Sequence, residues 1–503
     1  MAFSRRSFFA AAGASSAGLL RPVRPRLTVV VIAGQMRADL PEIARRSNFA
    51  NGFRRLLEEG AWFRDCRLES SSFTSSGLAT LVTGAYPESH GIVADRWYDR
   101  RLRELARAAA DQLQAGTLPG GVEAELQNRV FALGIDSSGT ALLAGVRTPV
   151  FAVDSAGDFE LSGAAPEEFS WFGAFQTASS ARAYHDAAWT ALGTSSNAPP
   201  LRTLAYDPAR PGDFAALYKA SPFALGAQFV LARELVARES LGQRQGTDLL
   251  LVLLGSLALL GHEVGAGSPL MQQMLLHLDR ELQATLEALD RNPGAGNYNL
   301  VFTAAHGAPE EPPGDRRGRM SVSGEAVARA VDSALSGQLD PAGVRNRYVE
   351  RYVYPFLYLR QEPFRRSQLD RRRARRLAGE AALDLAGVAG FYTADGDCSH
   401  GGEWLRRFRN SFHADRSGDL MLAYRPGYVE DFGAGRGVSY GSLYNYDCRI
   451  PLIFYGPPFE SRTFDRPVEA IDIVPTLARV LGAAVPSSST GRVLAEAFTP
   501  AKT

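Results

Sequence analysis

The sequence predicts an α/β protein whose central, mostly parallel sheet is flanked by helices and carries a cap insertion. Continuous apolar runs rich in β-branched residues show no alternation, which is typical of strands covered on both faces. Helical segments with apolar residues at a spacing of about 3.6 lie between those runs, and this order favours parallel strands joined by right-handed crossovers. The 503 residues and 45% hydrophobic content fit a large globular protein.

Four continuous apolar runs are predicted to be strands, at residues 27–33, 249–254, 300–303 and 451–455. The intervening periodic segments are predicted to be helices, at residues 49–59, 224–240, 269–289 and 473–481. The carboxyl ends of such strands meet at one edge of the sheet, where the ligand crevice of an open α/β sheet lies. We therefore expect residues that follow these strands to lie together.

The remaining segments are predicted to be two insertions that interrupt the core. Residues 101–220, rich in Gly, Ala and short polar loops, are expected to form a cap-like insertion over the carboxyl edge of the sheet. Residues 311–375, rich in Ser, Gly and Arg near their start, are expected to form an exposed insertion. The core is then assembled from residues 27–100, 221–310 and 376–503.

Residues 1–26 are predicted to be an export signal. The run Ser4-Arg5-Arg6-Ser7-Phe8-Phe9 matches the twin-arginine pattern, and a short, weakly apolar stretch follows at 10–20. No later run reaches the roughly 20 apolar residues of a membrane span. We therefore expect the folded protein to be exported to the periplasm or the exterior. The alternative is a chance pair of arginines at a disordered start.

Charge and cysteine content exclude several classes of function. The 55 Lys+Arg and 54 Asp+Glu give a net charge of +1, which supplies no general attraction to nucleic acid or an anionic membrane. The basic run at 371–376 is interpreted as a solvated helix face. Cys66, Cys398 and Cys448 show no C-x-x-C spacing, so free thiols are favoured over one disulfide.

A set of short motifs along the chain resembles the alkaline phosphatase superfamily, in its type I phosphodiesterase and nucleotide pyrophosphatase branch. The matching segments are 35–40, 52–56, 77–84, 86–97, 261–262, 410–419, 444–447 and 471–477. The resemblance covers nearly the whole length and implies the fold of that superfamily. It also implies a Thr or Ser nucleophile, two zinc ions held by three Asp and three His, and donors that bind the phosphoryl group.

The positions that the resemblance assigns to zinc ligands have lost most of their donors. Gly34, Ala258 and Ala305 stand where aspartate is expected, and Tyr440 stands in place of the last histidine. Only His262 and His306 remain. Two divalent cations repel each other, and anionic ligands are needed to hold both of them. A catalytic zinc also needs three protein ligands. We therefore expect no bound zinc, and we expect both histidines to have a structural role.

The substrate side of the implied site has changed as well. Thr74 stands at the nucleophile position, but a threonine hydroxyl needs an adjacent base or a metal, and the sequence shows neither. Asp95 replaces a donor asparagine, so an anion is expected where phosphate oxygens would lie. Asp136 and Ser138 align with a Lys-x-Arg pair of some relatives, which would remove two cationic contacts.

These losses predict a catalytically inactive, exported pseudophosphatase that binds or scaffolds through the cap and the remaining pocket, where water or a small neutral ligand would fit. The alternative is a phosphoric ester hydrolase with a reworked site. Such a site would use one metal held by His262, His306, Tyr440 or Asp95, or metal-free chemistry at Thr74. A third interpretation is a decaying protein with no selected partner. The sequence names no partner.

Overall fold

The fold is that of a computed structural model, which describes residues 25–47, 50–194, 198–308, 320–340, 344–367, 370–430 and 440–500. The twin-arginine run and the stretch after it lie outside the described residues. The strands of the described part, in chain order, are β1 (Leu27–Ala33), β2 (Ala61–Arg67), β3 (Arg96–Asp99), β4 (Glu104–Arg107), β5 (Arg129–Gly134), β6 (Val150–Val153), β7 (Phe159–Ser162), β8 (Ala188–Trp189), β9 (Arg202–Thr203), β10 (Asp248–Leu254), β11 (Tyr298–Ala304), β12 (Ser321–Val322), β13 (Val349–Val353), β14 (Phe356–Leu359), β15 (Val388–Thr393), β16 (Leu420–Tyr424), β17 (Val429–Glu430), β18 (Arg449–Tyr455), β19 (Arg462–Phe464) and β20 (Val468–Glu469).

Helices lie between most of these strands. They are α1 (Leu40–Ser47), α2 (Gly52–Glu59), α3 (Thr74–Thr83), α4 (Pro87–His90), α5 (Leu118–Glu123), α6 (Ser137–Leu142), α7 (Phe172–Ala178), α8 (Pro211–Lys219), α9 (Pro222–Arg238), α10 (Gly255–Val264), α11 (Pro269–Leu289), α12 (Gly324–Leu339), α13 (Glu362–Ser367), α14 (Arg371–Leu383), α15 (Gly402–Ser411), α16 (Asn445–Cys448) and α17 (Ile473–Leu481).

The main sheet confirms the predicted fold class. Its strand order is β19-β2-β18-β11-β1-β10-β5-β6-β7, with β20 paired to β2. The strands from β11 to β6 run parallel, whereas β18 is antiparallel to β11 and β7 is antiparallel to β6. All seven residues of β1 are buried, as expected of a continuous apolar strand covered by helices on both faces.

Local sequence signals explain where the long helices begin. Helix α9 follows Ser221, whose side chain accepts a hydrogen bond from the Ala224 N–H, and it has proline at its first position. Helix α11 repeats this arrangement with Ser268 and the Met271 N–H. Such caps satisfy N–H groups that have no partner within the helix, and proline at the first position loses no hydrogen bond.

Two expectations about the insertions differ from the structure. Residues 101–220, predicted to cap the sheet, contribute β5, β6 and β7 to the main sheet itself. Residues 311–375, predicted to be an exposed insertion, include α12 and two strands of a second sheet with the order β13-β14-β16-β15. That second sheet has its own hydrophobic cluster, built around Tyr348, Leu357 and Leu420. Residues 311–319 of the predicted insertion are outside the described part.

The three cysteines are free thiols, as the sequence favours: Cys66 and Cys448 are buried and Cys398 is half-buried. Burial raises the pKa of the Cys448 thiol to about 12. In the described ranges, no helix combines the length and apolar character that crossing a bilayer requires.

Candidate functional site

The carboxyl ends of β1, β10 and β11 lie side by side. Ala33, the last residue of β1, is in register with Leu254 and with Ala304. The chain then leaves each strand in a tightly connected turn, in which the Gly34 N–H donates to the Leu254 carbonyl at 3.1 Å and the Ala305 N–H donates to the Ala33 carbonyl at 2.8 Å. This edge is where the ligand crevice of an open α/β sheet is expected.

Gly34, Ala258 and Ala305 converge at this edge. A Cβ atom on Gly34 would lie 3.1 Å from the Ala258 Cβ atom, and Ala258 and Ala305 are both buried. The structure therefore brings together the three positions at which the resemblance expects aspartate. The side chains present there are one hydrogen atom and two methyl groups, none of which can donate an electron pair.

Helix α3 brings Thr74 to the same edge. The helix packs closely on the turn after β11, since a Cβ atom at Gly77 would overlap the Ala305 carbonyl oxygen. Only glycine allows this approach. As a result Thr74, the first residue of the helix, lies with its Oγ1 atom 2.9 Å from the His306 Nε2 atom. The sequence shows no base beside Thr74, and the structure corrects this by placing His306 there.

The hydrogen bonds of His306 define the direction of this contact. Its Nδ1 atom lies 2.7 Å from the Gly307 carbonyl oxygen, which can only accept, so Nδ1 carries the proton. Nε2 is then an acceptor, and the Thr74 hydroxyl donates to it. Burial lowers the pKa of His306 to about 4, which keeps the ring neutral at pH 7. A group with so low a pKa is a weak base.

His262 lies on the other side of the same cluster. Burial lowers its pKa to about 4, against a smaller opposing effect of the Asp95 carboxylate. Its Nε2 atom is buried and has no hydrogen-bond partner among the described residues. Its neutral ring packs against Tyr440, whose ring centroid is 4.3 Å away.

Tyr440 contacts both remaining histidines. Its ring stacks on His306 with centroids 4.5 Å apart and an interplanar angle of 10°, and Phe73 packs against it edge-on. Its phenol donates to the Asp95 Oδ2 atom at 2.8 Å. Burial and the Asp95 carboxylate raise the pKa of Tyr440 well above its usual value, so the phenol stays protonated. A protonated phenol is a poor metal ligand.

Asp95 occupies the amino-terminal end of α3. Its Oδ1 atom accepts a hydrogen bond from the Ser75 N–H at 2.9 Å, while Oδ2 accepts from Tyr440. The unpaired N–H groups at a helix start attract anions. Here the protein's own carboxylate takes one of these donors, directly beside Thr74. An oxyanion that approached the Thr74 hydroxyl would meet this negative charge.

A comparison with protein families classifies the chain. Residues 28–437 match the family model described as type I phosphodiesterase / nucleotide pyrophosphatase. The chain belongs to this family. It is thus a type I phosphodiesterase / nucleotide pyrophosphatase family member within the alkaline phosphatase superfamily, as the motifs predict.

Several characterised relatives are similar over nearly the whole chain. Alkaline phosphatase PhoV of Synechococcus elongatus is 24% identical, with 94% of this chain and 93% of the relative covered. Alkaline phosphatase PafA of Elizabethkingia meningoseptica is 24% identical, with 94% of each chain covered. The crystal structure of wild-type PafA superposes with a TM-score of 0.82 at 22% identity, covering 95% of this chain and 99% of that one. This likeness confirms the fold.

The residues at the edge do not fit the two zinc ions that the resemblance implies. Within the described ranges, no group of three or more His, Cys, Asp and Glu side chains lies together in a way that could hold a metal ion. The donors that do converge are two neutral imidazoles, a threonine hydroxyl, a protonated phenol and one carboxylate that is already bonded twice. This set lacks the anionic ligands that two divalent cations require.

Ser138 lies on α6, and Asp136 lies directly before this helix. The Asp136 Oδ1 atom accepts a hydrogen bond from the Gly139 N–H at 2.7 Å, which caps the start of α6. Asp136 therefore has a local structural role. Neither residue is a cation, so the two positions supply no positive charge to a bound anion.

One supporting residue has no role assigned from the sequence. Asp447 accepts hydrogen bonds from the Ser442 hydroxyl at 2.5 Å, and its carbonyl oxygen accepts from the Gly307 N–H at 2.6 Å. It thereby fixes the loop that carries Tyr440 against the turn that carries His306. Burial raises the pKa of Asp447 to about 7. Its motif at 444–447 was recognisable, but the motif alone gives no contact partner.

Proposed function

We propose that this family member is a catalytically inactive, exported pseudophosphatase that acts by binding or scaffolding. One observation carries the proposal. Where the resemblance expects the last zinc-binding histidine, the Tyr440 ring lies against both remaining histidines, and its protonated phenol is bonded to Asp95. An aromatic ring and a carboxylate of the protein itself thus lie beside both histidines at the edge where the resemblance expects the metal centre.

The glycine and alanine positions support the same conclusion. Removing three carboxylates takes away the charge that holds two divalent cations at close range. The side chains that remain around these positions are neutral, apart from the Asp95 carboxylate, which repels anions. We propose that a ligand bound there is small and neutral, and that the family's substrate class does not bind productively.

Zinc content and ester hydrolysis test the proposal. We expect the purified full chain to contain no stoichiometric zinc by elemental analysis, even after dialysis against zinc. We also expect it to hydrolyse 4-nitrophenyl phosphate and bis(4-nitrophenyl) phosphate no faster than the Thr74→Ala variant. Circular dichroism of both proteins provides the folding control. Stoichiometric zinc, or turnover that disappears in Thr74→Ala, would overturn the proposal.

The hydrogen bond from Thr74 to His306 favours a second candidate, a metal-free hydrolase. In that case His306 Nε2 would accept the Thr74 proton as Oγ1 forms a bond to the phosphorus of an ester. The bond from phosphorus to the alcohol oxygen would break, and the imidazolium would return the proton to the leaving alcohol. The pKa of about 4 for His306 makes this base weak, so we place this candidate second. Turnover that survives chelation and is lost in both Thr74→Val and His306→Gln would support it.

Export is the remaining part of the proposal and depends on the twin-arginine run. We expect replacement of Arg5 and Arg6 by lysine to retain the protein in the cytoplasm of a Gram-negative host that has the twin-arginine pathway. Replacement of Arg21 and Arg24 by lysine is the matched control, because it makes the same change within the same segment. Cell fractionation and immunoblotting measure the outcome. Equal periplasmic amounts of both variants would contradict export by this route.

A further inference from the structure

A cavity lies between the main sheet and the helix pair α9 and α11. Its volume is about 320 Å³, at the small end of the range of ligand pockets. Four apolar side chains form its floor. Val29 is in register with Leu250 and Val31 with Val252, so the floor is continuous across β1 and β10.

Small side chains on the two helices create this cavity. Ala232 and Ala237 line it from α9, and Ala288 lines it from α11. The helices are held across the gap by Arg233, whose Nη1 atom donates to the Glu281 Oε2 atom at 3.0 Å and to the Thr285 Oγ1 atom at 3.1 Å. This bridge opposes a collapse of the helices into the space.

An unfilled space of this kind is unfavourable. The atoms around it lose dispersion contacts, and the loss grows with the volume of the void. Water gains little over the floor, because the four apolar side chains there offer it no hydrogen-bond partners. An apolar ligand body would restore the missing contacts. The cavity therefore has the properties of a receptor for a hydrocarbon chain.

The opening of the cavity has a different character. Arg291 and Asn292 line it just after α11, close to where β11 begins, and so at the amino edge of the sheet. The site at Thr74 is at the opposite, carboxyl edge. Arg291 is exposed, and no side chain of the described residues forms an ion pair with it.

Charge at this opening favours an anion. Glu234 bonds to Arg238 at 3.0 Å and Asp290 bonds to Arg55 at 2.6 Å, so each of these two carboxylates has another arginine as its hydrogen-bonded partner. Arg291 also interacts electrostatically with Asp290, and it presents an exposed guanidinium group beside an apolar cavity. A guanidinium group binds a carboxylate with charge-assisted hydrogen bonds.

We propose that this cavity binds a medium-chain fatty acid, with its acyl chain on the floor formed by Val29, Val31, Leu250 and Val252 and its carboxylate at Arg291. The proposal does not depend on whether the Thr74 site is active. It assigns the protein a ligand class that is unrelated to phosphoric esters. The acyl chain of the proposed ligand is matched by the apolar floor, and its carboxylate is matched by the Arg291 guanidinium group.

The test uses the full chain with decanoate and decanol as probes, followed by isothermal titration calorimetry and thermal unfolding. We expect one decanoate per chain. Ala288→Leu fills the cavity, so we expect it to weaken binding of both probes by at least about tenfold and to raise the melting temperature of the unliganded protein. Arg291→Glu should weaken decanoate by about tenfold and leave decanol unchanged. Arg280→Glu, on the exposed side of α11, is the control with the same change in net charge.

Three outcomes would overturn the proposal. One is the absence of binding heat and of a thermal shift with either probe. Another is binding that Ala288→Leu leaves unchanged, which would place the ligand elsewhere. The third is equal loss of decanoate binding in Arg291→Glu and Arg280→Glu, which would show only a general effect of charge. If Ala288→Leu does not fold, Ala237→Leu on the facing helix gives the same test from a more exposed position.

Discussion

The variant Asp419→Ala is expected to lower the free energy of unfolding by about 3–5 kcal/mol, because it removes a fully buried carboxylate that three partly buried arginines share. The Asp419 side chain is fully buried, directly before β16. Its Oδ1 atom accepts from Arg371 at 3.0 Å and from Arg375 at 2.8 Å, and Oδ2 accepts from the Leu359 N–H at 2.7 Å and from Arg100. One carboxylate thus joins α14, β14 and the loop after β3.

Urea unfolding followed by circular dichroism measures this effect, and Asp397→Ala is the matched control. Asp397 also pairs with an arginine of α14, Arg372 at 3.0 Å, but the Arg372 side chain is 67% exposed. An exposed pair of this kind contributes at most about 1 kcal/mol. Equal losses of stability in the two variants would show that Asp419 has no special role.

The pH dependence of stability gives a second test of Asp419. The three arginines hold its pKa below the usual value, against the opposing effect of burial. A carboxyl group with a lowered pKa in the folded state stabilises the protein above the pKa of the unfolded chain, near 3.9, and this contribution is lost as the pH falls through the folded value. Asp419→Asn should therefore show a shallower loss of stability on acidification than the wild type.

The same cluster shows where a sequence pattern falls short. The basic run at 371–376 is interpreted from the sequence as a solvated helix face. That interpretation is wrong for Arg371 and Arg375, which are one helical turn apart and point together at Asp419. Arg372 and Arg376 do face solvent. Since Asp419 lies more than 40 residues further along the chain, no local pattern could reveal the partner.

The elements around the edge of the main sheet were predictable because their signals are strong and local. The predicted strand 27–33 and the predicted helices 269–289 and 473–481 match the structure to the residue. The strands β6 and β7 have only four residues each, too few for a periodic signal to distinguish them from loop. Their placement in the main sheet depends on pairing with β5, which is a tertiary contact.

The candidate site, too, was predictable only in part. The motifs predict that Thr74, Asp95, His262, His306 and Tyr440 lie at one edge, because each follows or precedes a recognisable element, and the structure brings these five side chains together. They do not reveal how the side chains contact one another. The bond from Thr74 to His306 spans 232 residues, and the bond from Tyr440 to Asp95 spans 345. These contacts decide the chemistry, since they convert an isolated hydroxyl and an isolated carboxylate into bonded groups.

Restoring the four changed positions together is expected to produce the second large effect. The variant would combine Gly34→Asp, Ala258→Asp, Ala305→Asp and Tyr440→His. Without metal, three carboxylates in a buried space should destabilise the protein by several kcal/mol, because like charges repel and burial disfavours the charged form. Space is tight, since even a Cβ atom at Gly34 would lie 3.1 Å from the Ala258 Cβ atom.

Zinc should reverse this loss of stability, because a bound cation stabilises the folded state by about 2.7 kcal/mol when its free concentration is 100 times the dissociation constant. We expect about two zinc ions per chain by elemental analysis and a zinc-dependent rise in melting temperature, neither of which the wild type should show. The matched control replaces the three aspartates by asparagine and keeps Tyr440→His, which preserves side-chain volume without the negative charge. If the asparagine control bound zinc equally well, the carboxylates would not be the missing ligands. If the aspartate variant folded but took up no zinc, Gly34, Ala258 and Ala305 would not be the positions of lost ligands, and the proposed loss of a metal centre would fail with them.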